Sequence, residues 1–341
     1  MAAIPPRRNS SLDSLDKQIV QLLQLDPRSS FSHIASELGV AEQTVARHYR
    51  RMRREGLARV IGFVDAPALG ESDWLIRVRC RPEGAVQVAE ALARREDAAW
   101  VSIAAGGAEV VFSLHPRTQQ DRDDLLVQRL QRSTPVLDIT ASMILHRFVG
   151  RNAVDWRGRR EIRTGGQPVD SNSLPAKDSQ IEDGDRALLA LLALDGRTSY
   201  SVLARSTGMT IGRVIRRVDA LQAAGILYFD LDMAPAALGS GFAAFLWLNV
   251  GPAQLEPVGR ALADHDETTY TAAVTGPHNL FATIFCETPD ALYRYTTTKL
   301  AALQGIHGFE LSPVLRRLKQ AGALTAGDLL AQPPAAPSRR R

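Results

Sequence analysis

The chain has 341 residues, of which 45% are hydrophobic and 23% charged, and it contains two cysteines. This length allows two or more domains with buried cores, and the composition excludes a fully disordered, fibrous or disulfide-stapled chain. A net charge of +4 is too small to identify a partner. Because no run of about 18 apolar residues occurs, we expect a soluble, cytoplasmic protein with Cys80 and Cys286 as buried reduced thiols.

The sequence repeats itself. Residues 16–57 align with residues 185–226 without a gap at an offset of 169, and 13 of these 42 pairs are identical. Average residue frequencies would give roughly three identities by chance. After one extra residue the register continues at an offset of 170, where Gly106 matches Gly276. The chain therefore consists of two copies of one unit of about 140 residues.

Residues 1–57 of the first copy predict a helix-turn-helix domain, here called the first head. Its first helix begins after Asp13 or Ser14, its second covers residues 31–38, and its third runs from about residue 42 to residue 55. The helix-turn-helix spacing is a small residue, a glycine four positions later and a β-branched residue six positions after that. It occurs twice, as Ala35, Gly39 and Val45, and as Ala204, Gly208 and Val214.

The third helix has two different faces. Val45, Tyr49 and Met52 share one face at helical spacing and should pack in the core. The opposite row consists of Gln43, Arg47, Arg50 and Arg54. Glutamine can pair with adenine edges and arginine with guanine or phosphate, so this row predicts a DNA contact. A solvated charged face is the alternative, and it fits less well because residues 47–59 hold six arginines and only one acid, an excess of five positive charges.

The rest of the first copy, residues 58–149, alternates strands and helices. The predicted order is βαββαβ, in which two helices cover one face of an antiparallel four-stranded sheet. Strand 58–64 leaves the helix-turn-helix, and the βαββαβ elements are strand 74–80, helix 83–95, strand 98–104, strand 109–115, helix 119–132 and strand 137–146. The fold class is therefore α+β, a winged-type helix-turn-helix plus a ferredoxin-like domain, with the whole unit duplicated.

A linker is predicted at residues 150–180, which are rich in Gly, Ser, Pro and charge. The second head follows at residues 181–227 and the second βαββαβ domain at residues 228–325, before a flexible tail at 326–341. The elements of this second domain are strand 243–250, helix 253–264, strand 268–274, strand 280–286, helix 289–303 and strand 309–316. Each sheet leaves one face uncovered, and the other sheet is its expected partner.

The second recognition helix differs at the outward row, where Gly212, Arg216, Asp219 and Ala223 replace the Gln and three Arg. We hypothesise that the first head supplies most DNA affinity and that the second is a weak reader or a structural partner. The predicted DNA-contacting residues are Gln43, Thr44, Arg47, Arg50, Arg51, Arg54, Arg213, Arg216 and Arg217.

The chain resembles the Lrp/AsnC (feast/famine) transcriptional regulators in a tandem-duplicated form. The motifs that carry the resemblance are Leu12-Asp13-x-Leu15-Asp16, Asp26-Pro27-Arg28, Ala35 to Gly39, Thr44-Val45 and Gly56. The usual Ser before the recognition helix is Ala41 here, and the second copy has Thr210. The resemblance implies a nucleoid-associated protein that binds double-stranded DNA and forms a homo-oligomer, either a dimer of internal pseudo-dimers or something larger.

In that family an amino acid or related metabolite binds near the loop that joins the second and third strands of the ligand domain. By resemblance the effector residues are Gly106 and Glu109 in the first copy, and Gly276 and Asn279 in the second. Glu109 keeps a carboxylate for an ammonium group, whereas Asn279 loses the charge. A plain hairpin turn that needs Gly and polar residues is the alternative.

Two other functional classes remain as alternatives. Siroheme decarboxylases share the paired architecture, and a sensor or interaction protein without DNA binding would fit the second copy. The seven histidines are dispersed, however, and none lies in residues 59–70 or 229–239. They are His33, His48, His115, His146, His265, His278 and His307. We therefore predict a protein that is not an enzyme and has no cofactor and no metal site.

Overall fold

The computed structural model describes residues 12–148 and 181–331, apart from residues 70, 82, 117, 183, 235, 236 and 238–240. The first head contains α1 (Ser14–Leu25), α2 (Phe31–Leu38) and α3 (Glu42–Arg54). Helix α1 begins with a capping box, because the Asp13 and Asp16 carboxylates each accept the other residue's backbone N–H. Gly39 closes α2 with φ of 65°, a conformation that favours glycine.

Strand β1 (Ala58–Val64) leaves the first head, and the predicted βαββαβ domain follows. Its elements are β2 (Trp74–Cys80), α4 (Ala85–Ala93), β3 (Ala98–Ala104), β4 (Glu109–Leu114), α5 (Gln119–Asp123) and β5 (Val136–Arg147). The sheet has the order β3-β4-β2-β5 and is antiparallel throughout. Leu92 of α4 and Leu125 pack on its outer face against Ile76 and Phe112.

The second copy repeats this order. Its head contains α6 (Asp185–Leu194), α7 (Tyr200–Thr207) and α8 (Ile211–Ala223), followed by β6 (Leu227–Met233). Its sheet domain contains β7 (Phe242–Val250), α9 (Leu255–Ala263), β8 (Thr268–Val274), β9 (Leu280–Cys286), α10 (Pro289–Tyr295) and β10 (Ile306–Arg317). The duplicated α+β fold predicted from the sequence is confirmed. None of the helices in the described ranges has the length and apolarity to cross a bilayer.

Two predicted helices are shorter than expected. The helices predicted at 119–132 and 289–303 are α-helical only in α5 and α10, and each continues as a π-helical turn at 124–129 or 296–300. The backbone N–H of Leu130 bonds to the Leu125 carbonyl, five residues back, and Ala301 bonds in the same way to Thr296. Periodicity could not reveal this widening because apolar spacing stays nearly helical through a single π turn.

The strands that leave the two heads pair with each other. Strand β1 lies antiparallel to β6, with Ala58 opposite Met233 and Val64 opposite Leu227. One face of this ribbon packs into a core to which both heads contribute, including Ile19 of α1 and Leu188 of α6. The heads are therefore one packed unit rather than two independent modules.

The two sheets close into one eight-stranded barrel because their edge strands also pair across the copies, β5 with β8 and β10 with β3. Their inner faces form a common core that contains Leu75, Val111, Phe245, Trp247 and Phe281. The prediction that each uncovered sheet face packs against the other sheet is confirmed. Cys80 and Cys286 are both buried and free, as expected, and burial raises the pKa of each thiol to about 11.

The predicted flexible tail at 326–341 is wrong for its first six residues. Residues 325–330 form a short hairpin of β11 (Thr325–Ala326) and β12 (Leu329–Leu330). Leu330 packs against Ala234 and Ala323, and its N–H donates to the Gly56 carbonyl at the end of the first head. Burial of this apolar segment orders it. Residues 332–341, the predicted linker at 150–180 and residues 1–11 lie outside the described residues.

Candidate nucleic-acid interface

Helix α3 has the inner face that the sequence predicted. Val45 and Met52 are fully buried and Tyr49 is nearly so. The Tyr49 hydroxyl accepts a hydrogen bond from the backbone N–H of Val60 at 3.1 Å, which ties α3 to the ribbon. Burial of these side chains fixes the rotation of the helix, so its opposite face must point to solvent.

The outward row of α3 is fully exposed. Gln43, Arg47, Arg50 and Arg54 are all accessible to solvent. Neither Arg47 nor Arg50 has a hydrogen bond or ion pair within the described ranges, whereas Arg54 lies 4.0 Å from Glu55. The uncommitted guanidinium groups of Arg47 and Arg50 on a recognition helix have the geometry for phosphate and base contacts in a major groove.

Arg51, also predicted as a DNA contact, is only partly exposed and lies outside this row. Its guanidinium bonds to Asp13 at 3.0 Å and to the fully buried Asp16, which also lies 2.9 Å from His48. Asp13, Asp16 and His48 are close enough to share a metal ion. Arg51 already contacts both carboxylates, so this cluster ties α3 to the start of α1.

Two more arginines of the basic stretch serve the fold. Arg53 pairs with Asp195 of the second copy at 2.9 Å, and the buried Arg59 lies 3.4 Å from Asp232. Half of the six arginines in residues 47–59 are therefore held by acids of the protein. The excess of five positive charges counted from the sequence therefore overstates the charge that the outward face of α3 presents.

The second head uses its basic residues in the same structural way. Arg217, also predicted as a DNA contact, bonds to the buried Asp185 at 2.6 Å and to Glu182 at 2.8 Å. Arg213 is half exposed and pairs with Glu182 at 3.2 Å. Arg216 is exposed and has no described partner, which leaves one uncommitted cation on the outer row of α8.

That outer row contains Gly212, Arg216, Asp219 and Ala223, all exposed. Two large apolar side chains of the second head also face solvent, since Ile211 at the start of α8 is 49% exposed and Val202 of α7 is 43% exposed. The row carries one positive and one negative charge, whereas the row on α3 carries three positive charges. The two heads therefore present chemically different surfaces.

The first predicted effector loop is open and contains a buried acid. Gly106 and Gly107 have φ of 69° and 89°, and a Cβ on either would meet open space. Glu109 is 3% exposed and its Oε1 accepts from the Arg77 guanidinium at 2.9 Å. Its Oε2 has no hydrogen-bond donor among the described residues. Burial raises the pKa of Glu109.

The second effector loop has its polar groups already engaged. The Asn279 side chain bridges the backbone of Val250, accepting at 2.9 Å and donating at 2.7 Å. A Cβ on Gly276 would lie 2.9 Å from the Ser142 hydroxyl of the first copy. The side-chain amide of Asn279, a predicted effector ligand, is therefore already bonded to the protein backbone.

Sequence reasoning missed the residues that complete the first loop. Arg77 also bonds to Glu310 at 2.7 Å and stacks on the Trp247 ring at 4.3 Å, and both partners belong to the second copy. The available signal was Arg77 in the middle of strand β2, whose other charged residue is Arg79. Its partners depend on barrel closure and could not be read along the chain.

Comparison with known proteins agrees with this architecture. The AsnC-type helix-turn-helix domain family matches residues 12–53 and again residues 181–222, and the Lrp/AsnC ligand binding domain family matches residues 243–324. An uncharacterised helix-turn-helix-type transcriptional regulator of Pyrococcus horikoshii is 31% identical over 144 residues, which are 42% of this chain and 90% of that protein. The chain belongs to the Lrp/AsnC family.

Two further proteins are similar to this Lrp/AsnC protein. The regulatory protein AsnC of Escherichia coli is 29% identical over 146 residues, covering 41% of this chain and 96% of AsnC. The siroheme decarboxylase NirDL superposes over 90% of this chain and 93% of its own with a TM-score of 0.60, at 16% identity. That likeness shows a shared paired fold and nothing about chemistry.

Proposed function

We propose that the protein is a DNA-binding transcription regulator in which the first head supplies most of the affinity. The observation that carries this proposal is the exposed row on α3, where Arg47 and Arg50 have no described partner. Family membership supports it, since the named relatives are helix-turn-helix regulators. The second head has Arg216 as the one uncommitted cation on its outer row, beside Asp219. Thr44 and Gln43 of the first head supply the polar contacts to bases.

The decisive experiment compares equivalent arginines in the two heads. Arg47 and Arg216 occupy the same position of the repeat, so Arg47→Ala and Arg216→Ala form a matched pair. We expect Arg47→Ala or Arg50→Ala to weaken operator binding by about 1–3 kcal/mol and to lower the salt slope by about one. Fluorescence anisotropy titrations at several salt concentrations, on a sequence selected from genomic DNA, measure both quantities.

The proposed difference in DNA affinity between the two heads is tested separately. Arg216→Ala should change affinity by less than about threefold, within the range of a single exposed phosphate contact. Equal losses for the Arg47 and Arg216 variants would show that both heads read DNA alike. Unaltered affinity in the Arg47→Ala/Arg50→Ala double variant would remove the first head as the reading surface.

We also propose that the first loop, and not the second, holds a small-molecule effector such as an amino acid. The support is the open space around Gly106 and the Oε2 of Glu109, which has no hydrogen-bond donor among the described residues. In the second loop, by contrast, the Asn279 side chain is bonded to the Val250 backbone. An ammonium group is a suitable donor because the Glu109 Oε2 accepts no hydrogen bond from the described residues and Glu310 places a second carboxylate beside Arg77.

Differential scanning fluorimetry against single amino acids tests this site. One ligand should raise the melting temperature of the native protein, and Glu109→Gln should abolish the shift. Asn279→Ala serves as the control in the second copy and should keep a ligand-induced shift even though the variant is itself less stable. A shift retained by Glu109→Gln would exclude the proposed site.

A catalytic role is the competing assignment. The histidines have separate environments, with His48 beside Asp16, His115 beside Asp73 and His265 beside Tyr295. Incubation of the purified protein with siroheme, followed by absorption spectroscopy and mass spectrometry, should show no decarboxylated product. Product formation would replace the regulatory proposal.

A further inference from the structure

The outer face of α8 in the second head is complementary to itself. Four exposed residues at helical spacing form it: Gly212, Arg216, Asp219 and Ala223. We propose that this face docks a second copy of the same chain through the equivalent face of its own α8. The proposal goes beyond DNA binding and is tested in the absence of DNA.

The positions of these residues fit a two-fold axis. When two α8 helices cross antiparallel with the axis midway between Arg216 and Asp219, each Arg216 lies opposite the Asp219 of the other copy. In the same register Gly212 lies opposite Ala223. An isologous interface needs such reciprocal pairs, because every contact across a two-fold axis occurs twice.

The small residues make close approach possible. Gly212 and Ala223 lie at the two ends of the face, and Ala220 lies beside it, exposed as well. Helix axes pack about 8–10 Å apart depending on the side chains at the contact, and the small residues at both ends of the face leave room for the central Arg216 and Asp219 side chains. Ile215 and Ala220 lie on the two flanks of this face.

Charge favours this partner over DNA. The face has one cation and one anion, and neither Arg216 nor Asp219 has an ion pair within the described residues. A DNA backbone would leave Asp219 facing phosphate, which is repulsive, whereas a second copy pairs both charges. At the same positions the first head carries Arg47 and Arg50, so it cannot form the same self-contact.

Solvent-exposed apolar area extends the surface. Ile211, 49% exposed, precedes Gly212 at the start of α8 and would lose part of its contact with water in a docked pair. A contact made by one helix face and its rim is smaller than the roughly 1,200 Å² of a stable interface. We therefore expect a weak dimer with a dissociation constant in the micromolar range, on the order of 10 µM.

Such a dimer would carry two first heads, one from each chain. Each chain supplies one strongly basic recognition helix, so the pairing of second heads joins two reading surfaces. This arrangement explains why the second head keeps a folded helix-turn-helix core, with Val214 and Val218 fully buried, while its outer row has lost most of its cations.

Sedimentation equilibrium of the full chain without DNA measures the association. The native protein should dimerise, and Asp219→Arg or Arg216→Asp should raise the dissociation constant at least tenfold by placing like charges opposite each other. The Arg216→Asp/Asp219→Arg double variant should restore dimerisation, because the exchange preserves reciprocal pairing. Glu90→Arg, an exposed reversal on α4, is the control and should leave association unchanged.

Site-specific disulfides test the register. The Gly212→Cys/Ala223→Cys double variant should form a covalent dimer under mild oxidation, whereas Ala223→Cys alone should remain largely monomeric. The native Cys80 and Cys286 are buried and should not interfere. Circular dichroism of each variant verifies folding.

Three results would overturn the proposal. In the first, the native protein stays monomeric at about 100 µM. In the second, Asp219→Arg leaves the dissociation constant of the dimer unchanged. In the third, the Arg216→Asp/Asp219→Arg double variant fails to restore association. DNA binding by Arg47→Ala and Arg50→Ala is measured separately. Loss of self-association in the Asp219→Arg variant, with operator affinity of the single chain retained, would support docking without depending on the regulatory proposal.

Discussion

At the scale of single residues, several charged side chains that the sequence would place on the surface form buried ion pairs within the fold. Asp16 and Asp185 occupy equivalent positions at the start of α1 and α6, and neither is exposed. The first is bonded to Arg51 and His48, the second to Arg217. Since Arg217 aligns with His48, the two copies keep the same buried acid with different bases. Removing one partner of such a pair leaves an uncompensated charge and is costly.

Asp230 is a buried acid with a testable effect on pH dependence. It lies on the ribbon, 4% exposed, and accepts a hydrogen bond from the Leu231 N–H. Burial, aided by the neighbouring Asp232, raises the pKa of Asp230 well above its ordinary value. The folded state therefore binds this proton more tightly than the unfolded state, and the corresponding stability is lost as pH rises through the folded-state pKa.

We expect Asp230→Asn to raise the free energy of unfolding at pH 8 by roughly 1–3 kcal/mol, because the amide carries no charge to bury. At pH 4 the gain should be much smaller. Urea denaturation between pH 4 and pH 8 measures both values, with the exposed Asp138→Asn as the control. A gain that does not grow with pH would show that Asp230 is not the titrating group.

At the scale of elements, the end of the recognition helix is held by the carboxyl-terminal hairpin. Gly56 ends α3 with φ of 70°, and its carbonyl accepts from the Leu330 N–H. Just before this hairpin, Gln320 donates hydrogen bonds to strand β6 of the ribbon, to Asp232 at 2.6 Å and to the Met233 carbonyl at 2.7 Å. The sheet domain of the second copy is thereby joined to the first head.

Gly56→Ala should therefore be far more destabilising than an equivalent change elsewhere. A Cβ at Gly56 would overlap the Leu330 carbonyl, and the left-handed backbone adds strain. Gly39→Ala is the matched control, since Gly39 has φ of 65° and open space around its Cβ position. We expect a loss of about 1 kcal/mol for Gly39→Ala and about 3 kcal/mol or more for Gly56→Ala. Thermal denaturation that ranks the two variants equally would contradict the role of the hairpin.

At the scale of the whole molecule, the two copies are specific for each other. Arg77 stacks on Trp247, and these residues are counterparts in the repeat at the offset of 170. A pair of identical first copies would place Arg77 against a second Arg77 inside the barrel, at a point buried between the sheets. Likewise Glu310 has Thr140 as its counterpart, so the ion pair with Arg77 needs one copy of each kind.

Separately produced halves, residues 1–150 and 180–341, should accordingly combine into a 1:1 complex. Each half alone exposes the inner sheet face, the unpaired edge strands and half of the core of the heads, and should self-associate or aggregate. Native mass spectrometry of the mixture should show the heterodimer as the main species. A first half that forms a stable homodimer and does not exchange with the second half would disprove this specificity.

The sequence determined the local elements because periodicity, caps and the repeat are local signals. The duplication, the three helices of each head, the βαββαβ order and the outward row of α3 all follow from residue spacing and are confirmed. Local signals also indicated that the second copy had lost cations at Asp219 and Ala223. The register of the repeat was sufficient for this, since it assigned each residue a counterpart.

Only the tertiary structure decided which charges are available. Arg51, Arg53, Arg59 and Arg217 looked like the exposed arginines beside them, yet each is held by an acid distant in sequence. The same holds for Glu109, whose environment is completed by Trp247 and Glu310 across the barrel. Helical periodicity predicts on which side of the helix a residue lies, but not which residues of other elements contact it. Whether a charged side chain is buried depends on those contacts. The availability of a guanidinium for DNA is therefore a property of the closed pseudo-dimer rather than of the helix.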